Sequence, residues 1–591
     1  MSTVALIALG VGCGAIEGVP RSRAPGNECP DRPCEAYAYT GTKPTCVFGR
    51  CDAGRATFDY VLVVSVPTTS FFAAGRTFTL RSREFSAAKG TAKCPALTCI
   101  ALPPLVPWQG EYRVAPGTAA KLGVAVGAKE ATVPALATFV PRLADGAPGS
   151  SDGISDLETL GLPSDVVQSE AVVVAEPRGP FGAHAISMTA LVPQGNYERR
   201  IVPAEGYDAL PPVITGAAFA GQDVVSDATL DDPSGDARRS VVRRKAGLDG
   251  FRVFIQDAQL ERRVSAMHLL SGVVSTVRLD TIGENDGAVL RNNLDVVVAP
   301  PLGAIGVPTY VSAVIQGVGL DATYPDLPPP VAVSGVVVTP DASAIGLAAE
   351  IVFDSTNVAL VPTEGVAVKT RQLRYRTWLR SDARGRFATV LPPGEYLAYV
   401  RPDRGLGWGR QRVAVSVDSP TSSLTLPVLP LAVVEGRAVL ADGRPLVDAD
   451  VVAEAAATQP DEEGAARARR SWLFPRGARG RTDGEGRYVL ALEQGTYDLT
   501  VIPEPGSGFP RVVSPSRSVA PPAPGAGSVT LEPLRVPVPA RIGYTLQDPS
   551  GNVIPRAVVR AYARLARGGP YLEIGEGVTD RAGRFEILVS P

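Results

Sequence analysis

Asp382-Ala-Arg-Gly-Arg-Phe387 is a hexapeptide whose pattern occurs three times in this chain. It returns, with an aromatic residue again at its end, as Asp483-Gly-Glu-Gly-Arg-Tyr488 and as Asp580-Arg-Ala-Gly-Arg-Phe585. The copies are roughly 100 residues apart, which is about the length of one β-sandwich domain. Self-similarity at a fixed interval indicates structurally similar units arranged in tandem.

Each hexapeptide is expected to form a tight turn that leads into a strand. Aspartate at the first position can accept backbone amide hydrogen bonds, and glycine at the fourth completes the turn. We assign this structural turn role to Asp382 and Gly385, Asp483 and Gly486, and Asp580 and Gly583. A calcium site is the alternative, but Ca²⁺ takes about six to eight oxygen ligands and each turn offers one obvious carboxylate. We therefore predict no metal here.

A second repeated feature is a tyrosine that follows a glycine turn. Tyr396 and Tyr497 each lie fourteen residues after the aspartate of their copy. In the third copy the same spacing points past Pro591. We therefore expect the third sandwich to lack its closing strand and to expose an unpaired edge. Two explanations stay open: the reading frame is a fragment of a longer repeat protein, or another chain donates a strand.

Taken together, the motifs resemble those of the carboxypeptidase regulatory-like family. The relevant elements are G-x-P-[LIV]-x-x-A (Gly443 to Ala449, with a variant at Gly551 to Ala557), D-x-x-G-[RK]-[FY] and P-x-G-x-Y. Family members have a transthyretin-like β-sandwich fold, which is also grouped with carbohydrate-binding-like and pilin B-type folds. The resemblance covers about Val331 to Pro591 and implies repeats at 331–430, 431–537 and, incomplete, 538–591. In the second repeat, Glu493 stands where proline is expected.

Upstream of the repeats, the sequence also indicates strands. Runs rich in valine, threonine and aromatic residues, such as Tyr60 to Val66, alternate with Gly and Pro turns. They predict one β-sandwich-like domain at 55–211 and a second at 212–330. The expected fold class is all-β: tandem immunoglobulin-like or transthyretin-like sandwiches that follow a Cys-rich N-terminal segment.

The N-terminus carries an export signature. Val4 to Gly12 is a short apolar run that suits the core of a signal peptide, and Gly-Val-Gly-Cys13 resembles a bacterial lipobox. We assign 1–20 to the signal peptide and lipobox, with Cys13 as the lipidation site. The protein is then an exported lipoprotein of the outer membrane or cell surface of a bacterium, held at the membrane through its lipid alone. The alternative for this run is an ordinary buried apolar strand.

The other cysteines all lie near the N-terminus. They are expected to form disulfides because an exported protein meets an oxidising compartment and because 21–54 is too short and polar to bury a core. Their pairing is open, and a four-thiolate zinc site is the competing interpretation. The disulfide candidates are Cys29, Cys34, Cys46, Cys51, Cys94 and Cys99.

Composition argues against several function classes. The 591 residues carry a net charge of −2, so no overall field attracts nucleic acid. Only two histidines occur, His184 and His268, and neither has the H-x-x-E spacing of a zinc carboxypeptidase. Pilin-type Lys–Asn isopeptides need a lysine, and the last two repeats contain none. We predict a chain without catalytic residues or cofactors.

Tandem sandwiches without a catalytic constellation predict a non-enzymatic cell-envelope scaffold or adhesion protein. Its partners would be envelope or surface proteins, or polysaccharide. The alternative is a carbohydrate-binding envelope protein, since tryptophans on loops can stack on sugar rings. The candidates for such stacking are Trp378, Trp408 and Trp472, for which packing into the sandwich is the competing role.

Overall fold

In the computed structural model, every described element is a β-strand, so the prediction of an all-β chain of sandwiches is confirmed. Within the described residues, no helix is long and apolar enough to cross a lipid bilayer. The described residues are 45–47, 50–52, 58–82, 99–114, 131–144, 154–156, 162–163, 167–175, 184–207, 210–220, 225–231, 240–243, 250–257, 262–270, 294–301, 303–313, 320–323, 327–339, 346–359, 373–418, 421–456, 474–520, 528–565 and 569–590.

Within the described residues, five strands precede the first complete sandwich. They are β1 Thr45–Val47, β2 Arg50–Asp52, β3 Val61–Ser65, β4 Thr77–Arg81 and β5 Cys99–Ala101. The first two pair with each other, whereas β3 to β5 join sheets of the third repeat, as described below.

The N-terminal sandwich spans 105–231. Its strands are β6 Leu105–Val114, β7 Ala131–Val133, β8 Ala135–Ala144, β9 Ile154–Asp156, β10 Val167–Gln168, β11 Glu170–Ala175, β12 His184–Pro193, β13 Gly195–Pro203, β14 Val213–Phe219 and β15 Val225–Asp231. One sheet has the order β10-β8-β13-β14 with β9 beside β8, and the other β11-β12-β6-β15 with β7 beside β6. Between them, Trp108 and Phe139 pack edge to face at 4.9 Å.

The second module spans 240–323 and shares its core with the first repeat. Its strands are β16 Ser240–Arg243, β17 Arg252–Asp257, β18 Arg262–Arg263, β19 His268–Leu269, β20 Leu294–Ala299, β21 Thr309–Ala313 and β22 Leu320–Thr323. One apolar cluster contains Val253 and Val296 of this module together with Val333 and Ile351 of the first repeat. The two units are therefore packed against each other without a gap.

The first repeat is a two-sheet sandwich. Its strands are β23 Val331–Val338, β24 Ala349–Val358, β25 Leu373–Arg374, β26 Arg376–Arg380, β27 Arg386–Leu391, β28 Gly394–Pro402, β29 Trp408–Gly409, β30 Gln411–Val417, β31 Thr421–Pro427 and β32 Leu429–Pro430. The sheets have the orders β27-β23-β31 and β26-β24-β28-β30, while β25 extends the sheet of the second module beside β21.

The second repeat has the same topology. Its strands are β33 Ala432–Leu440, β34 Asp450–Ala455, β35 Ala478–Arg481, β36 Arg487–Leu492, β37 Gly495–Ile502, β38 Val512–Val519, β39 Val529–Thr530 and β40 Leu534–Val536. Here β36-β33 is completed by the short parallel strands β39 and β40, and the facing sheet is β35-β34-β37-β38.

The third repeat is closed by strands from near the other end of the same chain. Its own strands are β41 Ala540–Gln547, β42 Val558–Arg564, β43 Tyr571–Val578 and β44 Arg584–Val589. The sheets are β44-β41-β5 and β43-β42-β3-β4, and β5 is parallel to β41 just as β31 is parallel to β23. The prediction that the third repeat exposes an unpaired edge is therefore wrong.

Burial and register explain this closure. In the second repeat, Leu499 pairs with Ala453, which lies four residues after the motif alanine Ala449. In the third repeat, Leu62 pairs with the equivalent residue, Ala561, which lies four residues after the motif alanine Ala557. Tyr60 precedes Leu62 by two residues, as Tyr497 precedes Leu499, so Tyr60 has the position in the third repeat that Tyr497 has in the second. The N-terminal segment contributes buried apolar side chains to the core: Tyr60, Leu62, Val64, Val66, Phe78, Ile100 and Leu102. Each such side chain stabilises the fold by about 1.5–3 kcal/mol when removed from water.

The strand pairings therefore give domain boundaries that differ from the predicted ones at residues 55 and 211. Residues 58–102 belong to the third repeat, and the N-terminal sandwich runs on to Asp231 because β14 and β15 pair with β13 and β6. Strand alternation identified the strands themselves, but it carries no information about which distant strand each one pairs with.

Candidate functional site

The three Asp-x-x-Gly turns have the same hydrogen bonds. In the second repeat, Asp483 Oδ1 accepts the backbone amides of Glu485 at 2.9 Å and Arg487 at 2.8 Å. Asp382 and Asp580 accept the equivalent amides at 2.8–2.9 Å. The bond from the Arg487 amide lowers the pKa of the Asp483 carboxyl. Among the described residues, no three His, Cys, Asp or Glu side chains lie close enough together to hold a metal ion.

Each turn glycine lies in a left-handed conformation against the first strand of its repeat. The φ angles of Gly385, Gly486 and Gly583 are 76°, 72° and 73°. A Cβ on Gly486 would lie 2.5 Å from the carbonyl oxygen of Ala438, whose amide donates to the Gly486 carbonyl at 2.8 Å. The turn is thus docked on β33, and there is no room for a side chain.

A buried hydroxyl immediately before each aspartate was missed by our sequence reasoning. Thr579 Oγ1 accepts the amide of Ala557 at 2.7 Å and donates to the carbonyl of Ile554 at 2.8 Å. Thr482 and Ser381 accept the equivalent amides at 2.8 Å, and all three residues are buried. The motif is therefore [ST]-D-x-x-G, and the available signal was that every copy carries Ser or Thr at this position.

The aromatic residue of each turn packs across the first strand. Tyr488 pairs with Gly436, where an added Cβ would lie 2.3 Å from the Tyr488 hydroxyl, and Phe387 covers Gly335 in the same way. In the third repeat, Phe585 instead pairs with Tyr544. The two rings lie 6.2 Å apart, so this copy replaces a glycine by a second aromatic ring.

Trp378 and Trp408, two of the candidates for stacking on a sugar, have different environments. Trp378 lies on β26 at the sheet edge with 53% of its surface exposed, and the Arg376 guanidinium is 6.0 Å from its ring centroid. Trp408 is partly buried, pairs with Pro430 and packs on the core of the first repeat. Trp472 lies outside the described residues. Trp378 and Trp408 belong to different sheets. Stacking of these side chains on a glycan stays a prediction.

Three of the seven cysteines lie among the described residues. Cys46 and Cys51 are opposite each other in the β1–β2 ladder, and Cys99 is disulfide-bonded. The remaining candidates lie outside the described residues: Cys13, Cys29, Cys34 and Cys94. The histidines lie in separate sheets, since His184 begins β12 and His268 begins β19.

Glu493, which stands where proline was expected from the sequence, joins the first and second repeats. Its buried carboxylate accepts the backbone amide of Arg410 at 3.2 Å through Oε1 and that of Arg476 at 2.8 Å through Oε2. The Arg410 guanidinium lies 3.7 Å from Oε2. Proline at this position could not make any of these contacts.

Two further arginines cross the same junction. Arg401 donates to the carbonyl of Phe474 at 2.9 Å, and Arg476 donates to the carbonyl of Pro402 at 2.6 Å. Burial lowers the pKa of both guanidinium groups, while the Glu493 charge opposes this shift. Glu493 therefore serves as the counter-charge for the arginines on both sides.

The second and third repeats are joined through Arg511 and Glu573. Their side chains form an ion pair, and a parallel bridge links Arg511 to Val589. Together with the shared core described above, direct contacts connect the second module, the first repeat, the second repeat and the third repeat in series.

Comparison with known proteins gives similarity to solved structures only. No family model matches the chain, and no curated protein matches it. The streptococcal ancillary pilin is 13% identical over 50% of this chain and 98% of that one, with a TM-score of 0.21. The Bacillus anthracis TIE protein is 12% identical over 69% of each chain, with a TM-score of 0.15. The shaft pilin SpaA from Lactobacillus rhamnosus GG is 10% identical over 35% of this chain and 97% of that one, with a TM-score of 0.18. Likeness at this level carries no functional conclusion.

Proposed function

We propose that this protein is a non-enzymatic scaffold or adhesion protein of the bacterial cell envelope. The observation that carries the proposal is the series of bonded junctions: each module is attached to the next by a shared core or by partly buried charge pairs. Interfaces of this kind restrict relative movement of modules, which free linkers would permit. A stiff series of sandwiches suits a part that holds or spaces other envelope components.

The test is retention of isolated bacterial envelopes on the immobilised full-length protein. We expect retention that is abolished when the envelopes are first treated with protease, because the proposed partners are envelope or surface proteins. Envelopes that are not retained under any treatment would contradict the proposal.

The exposed indole of Trp378 favours carbohydrate binding as a second candidate. In that case retention would be abolished by periodate treatment of the envelopes and by Trp378→Ala. Trp408→Ala is the wrong variant for this purpose, because this side chain packs on the core of the first repeat.

The proposal includes the way in which the protein is attached to the membrane. Export and lipidation at Cys13 would tether the series to a membrane through its lipid alone. Mass spectrometry of the mature N-terminus tests this: we expect a lipid-modified cysteine as the first residue, and an unmodified chain that begins before Cys13 contradicts it.

A further inference from the structure

A cavity of about 560 Å³ opens where the third repeat meets the second. Three arginines line it, and they come from distant parts of the chain: Arg81 from β4, Arg511 just before β38 and Arg564 from β42. Among the described lining residues, Asp59 is the single carboxylate. The lining therefore contains more arginine than carboxylate side chains.

Neighbouring side chains hold these guanidinium groups in place. Glu573 pairs with Arg511 from outside the cavity lining and also accepts the Tyr562 hydroxyl at 3.4 Å. The guanidinium carbon of Arg564 lies 4.7 Å from the ring centroid of Tyr571. Arg81 is only 6% exposed. Groups fixed in this way bind a ligand with little further loss of side-chain entropy.

Arg511 also retains donor capacity. Its Nε is buried and donates no hydrogen bond to any part of the chain that the structure describes. A guanidinium group has five N–H donors, so Arg511 can bind an entering anion in addition to Glu573. The planar guanidinium fork matches the two oxygens of a carboxylate.

The remaining walls suit a ring-shaped organic acid. The volume lies within the range of small-molecule sites, about 300–1,000 Å³. Phe58, which is partly buried, lines the same wall, and an aromatic ring offers an apolar face for packing against a sugar.

We propose that this cavity binds a carboxylate-bearing sugar, such as a uronic-acid unit of an envelope polysaccharide. The site would exist only when β3 and β4 are docked on β42, because Arg81 reaches the cavity from β4. The inference does not depend on the scaffold role, since it concerns one cavity rather than the series of modules.

Calorimetric titration of the full-length protein with digalacturonate tests the proposal. We expect saturable binding that is at least tenfold weaker for the neutral methyl ester and for Arg564→Ala. Arg560→Ala is the matched control on the same strand, because Arg560 pairs with Glu576 and is not part of the lining. It is expected to bind digalacturonate like the unaltered protein.

Three results would overturn the proposal: no binding of digalacturonate, equal binding of its methyl ester, or equal affinity for inorganic sulfate, which would indicate an unspecific anion site. If Arg564→Ala does not fold, as judged by circular dichroism, the comparison of acid and ester on the unaltered protein still decides. Envelope retention is measured separately, so failure here leaves the scaffold proposal standing.

Discussion

The hydroxyl of Tyr60 lies 3.1 Å from the hydroxyl of Tyr544, although the two residues are 484 positions apart in the sequence. Tyr60 is buried in the core of the third repeat, and Tyr544 packs against that core from β41. The N-terminal strands and the last repeat therefore form one sandwich. Destabilising either segment is expected to destabilise the other.

Replacing the turn glycine of the second repeat is expected to loosen its sandwich. Gly486→Ala places a side chain at φ 72° and a Cβ 2.5 Å from the Ala438 carbonyl oxygen. We expect a loss of roughly 2 kcal/mol in local stability. Hydrogen exchange of the amides in Arg487–Leu492 measures this in the full chain.

The matched control lies in the same turn. A Cβ on Gly484 would meet no atom within 4 Å, so Gly484→Ala is expected to leave exchange within about 0.5 kcal/mol of the original. Equal exchange rates in the two variants would show that the docking of Gly486 on β33 does not matter for stability.

Tyr488→Phe is expected to stabilise the second repeat. The Tyr488 hydroxyl is buried and has no hydrogen-bond partner among the described residues, whereas the first and third repeats carry phenylalanine at this position. Removing an unsatisfied buried hydroxyl should gain about 1 kcal/mol. Slower exchange in Arg487–Leu492 is the predicted result, and faster exchange would mean that the hydroxyl has an acceptor.

The same residue predicts a pH dependence. Burial raises the pKa of Tyr488 to about 12, above the value of about 10 in an unfolded chain. The unfolded state therefore loses its phenol proton first, and the stability contributed by the neutral phenol is fully present below pH 10 and lost as the pH rises towards 12. Between pH 10 and 12, the hydrogen-exchange rates of the amides in Arg487–Leu492 should rise less steeply with pH in Tyr488→Phe than in the unaltered protein.

Glu493→Gln is expected to weaken the junction between the first and second repeats. The carboxylate accepts two amides through its two oxygens, whereas an amide side chain offers one oxygen and turns an NH₂ group towards the other donor. We expect a loss of about 1.5–3 kcal/mol, since these bonds involve a charged group. Faster exchange in peptides that contain Arg410 and Arg476 is the measurement.

Glu485→Gln is the control for this change. Glu485 is exposed and pairs with Arg487 within its own repeat, so its neutralisation should alter stability by less than about 1 kcal/mol. If Glu485→Gln opens the junction as much as Glu493→Gln, a general charge effect rather than the buried contact would be responsible.

The sequence was sufficient for the features that are local. The Asp-x-x-Gly turns and the strand alternation depend on neighbouring residues, so the sandwich class and the repeat interval followed from them. The register of the third copy did not: Gly436 pairs with the turn aromatic of its own repeat, whereas Gly543 pairs with Glu586, one position away from Phe585. A one-residue offset of this kind is invisible without the partner strand.

The features that depend on distant partners were missed or misjudged. Tyr60 lacks the glycine that precedes Tyr396 and Tyr497 by two positions, since Phe58 stands there, so nothing marked it as the missing tyrosine. In the sequence, Glu493 stood out only as a glutamate at a position where proline was expected. Its role depends on amides that only the folded junction brings to its carboxylate.

The closure of the third repeat by its own chain is tested most directly by a cross-strand disulfide. Val63 and Arg560 are opposite each other in the β3–β42 ladder, and such pairs have Cα atoms about 4.5–5.5 Å apart, within disulfide range. In Val63→Cys with Arg560→Cys, mild oxidation should link the peptides that carry positions 63 and 560 within a monomer. Ser65→Cys with Arg560→Cys, which is offset by two residues, should link poorly. Free thiols at positions 63 and 560, or a link only between two copies, would contradict the closure.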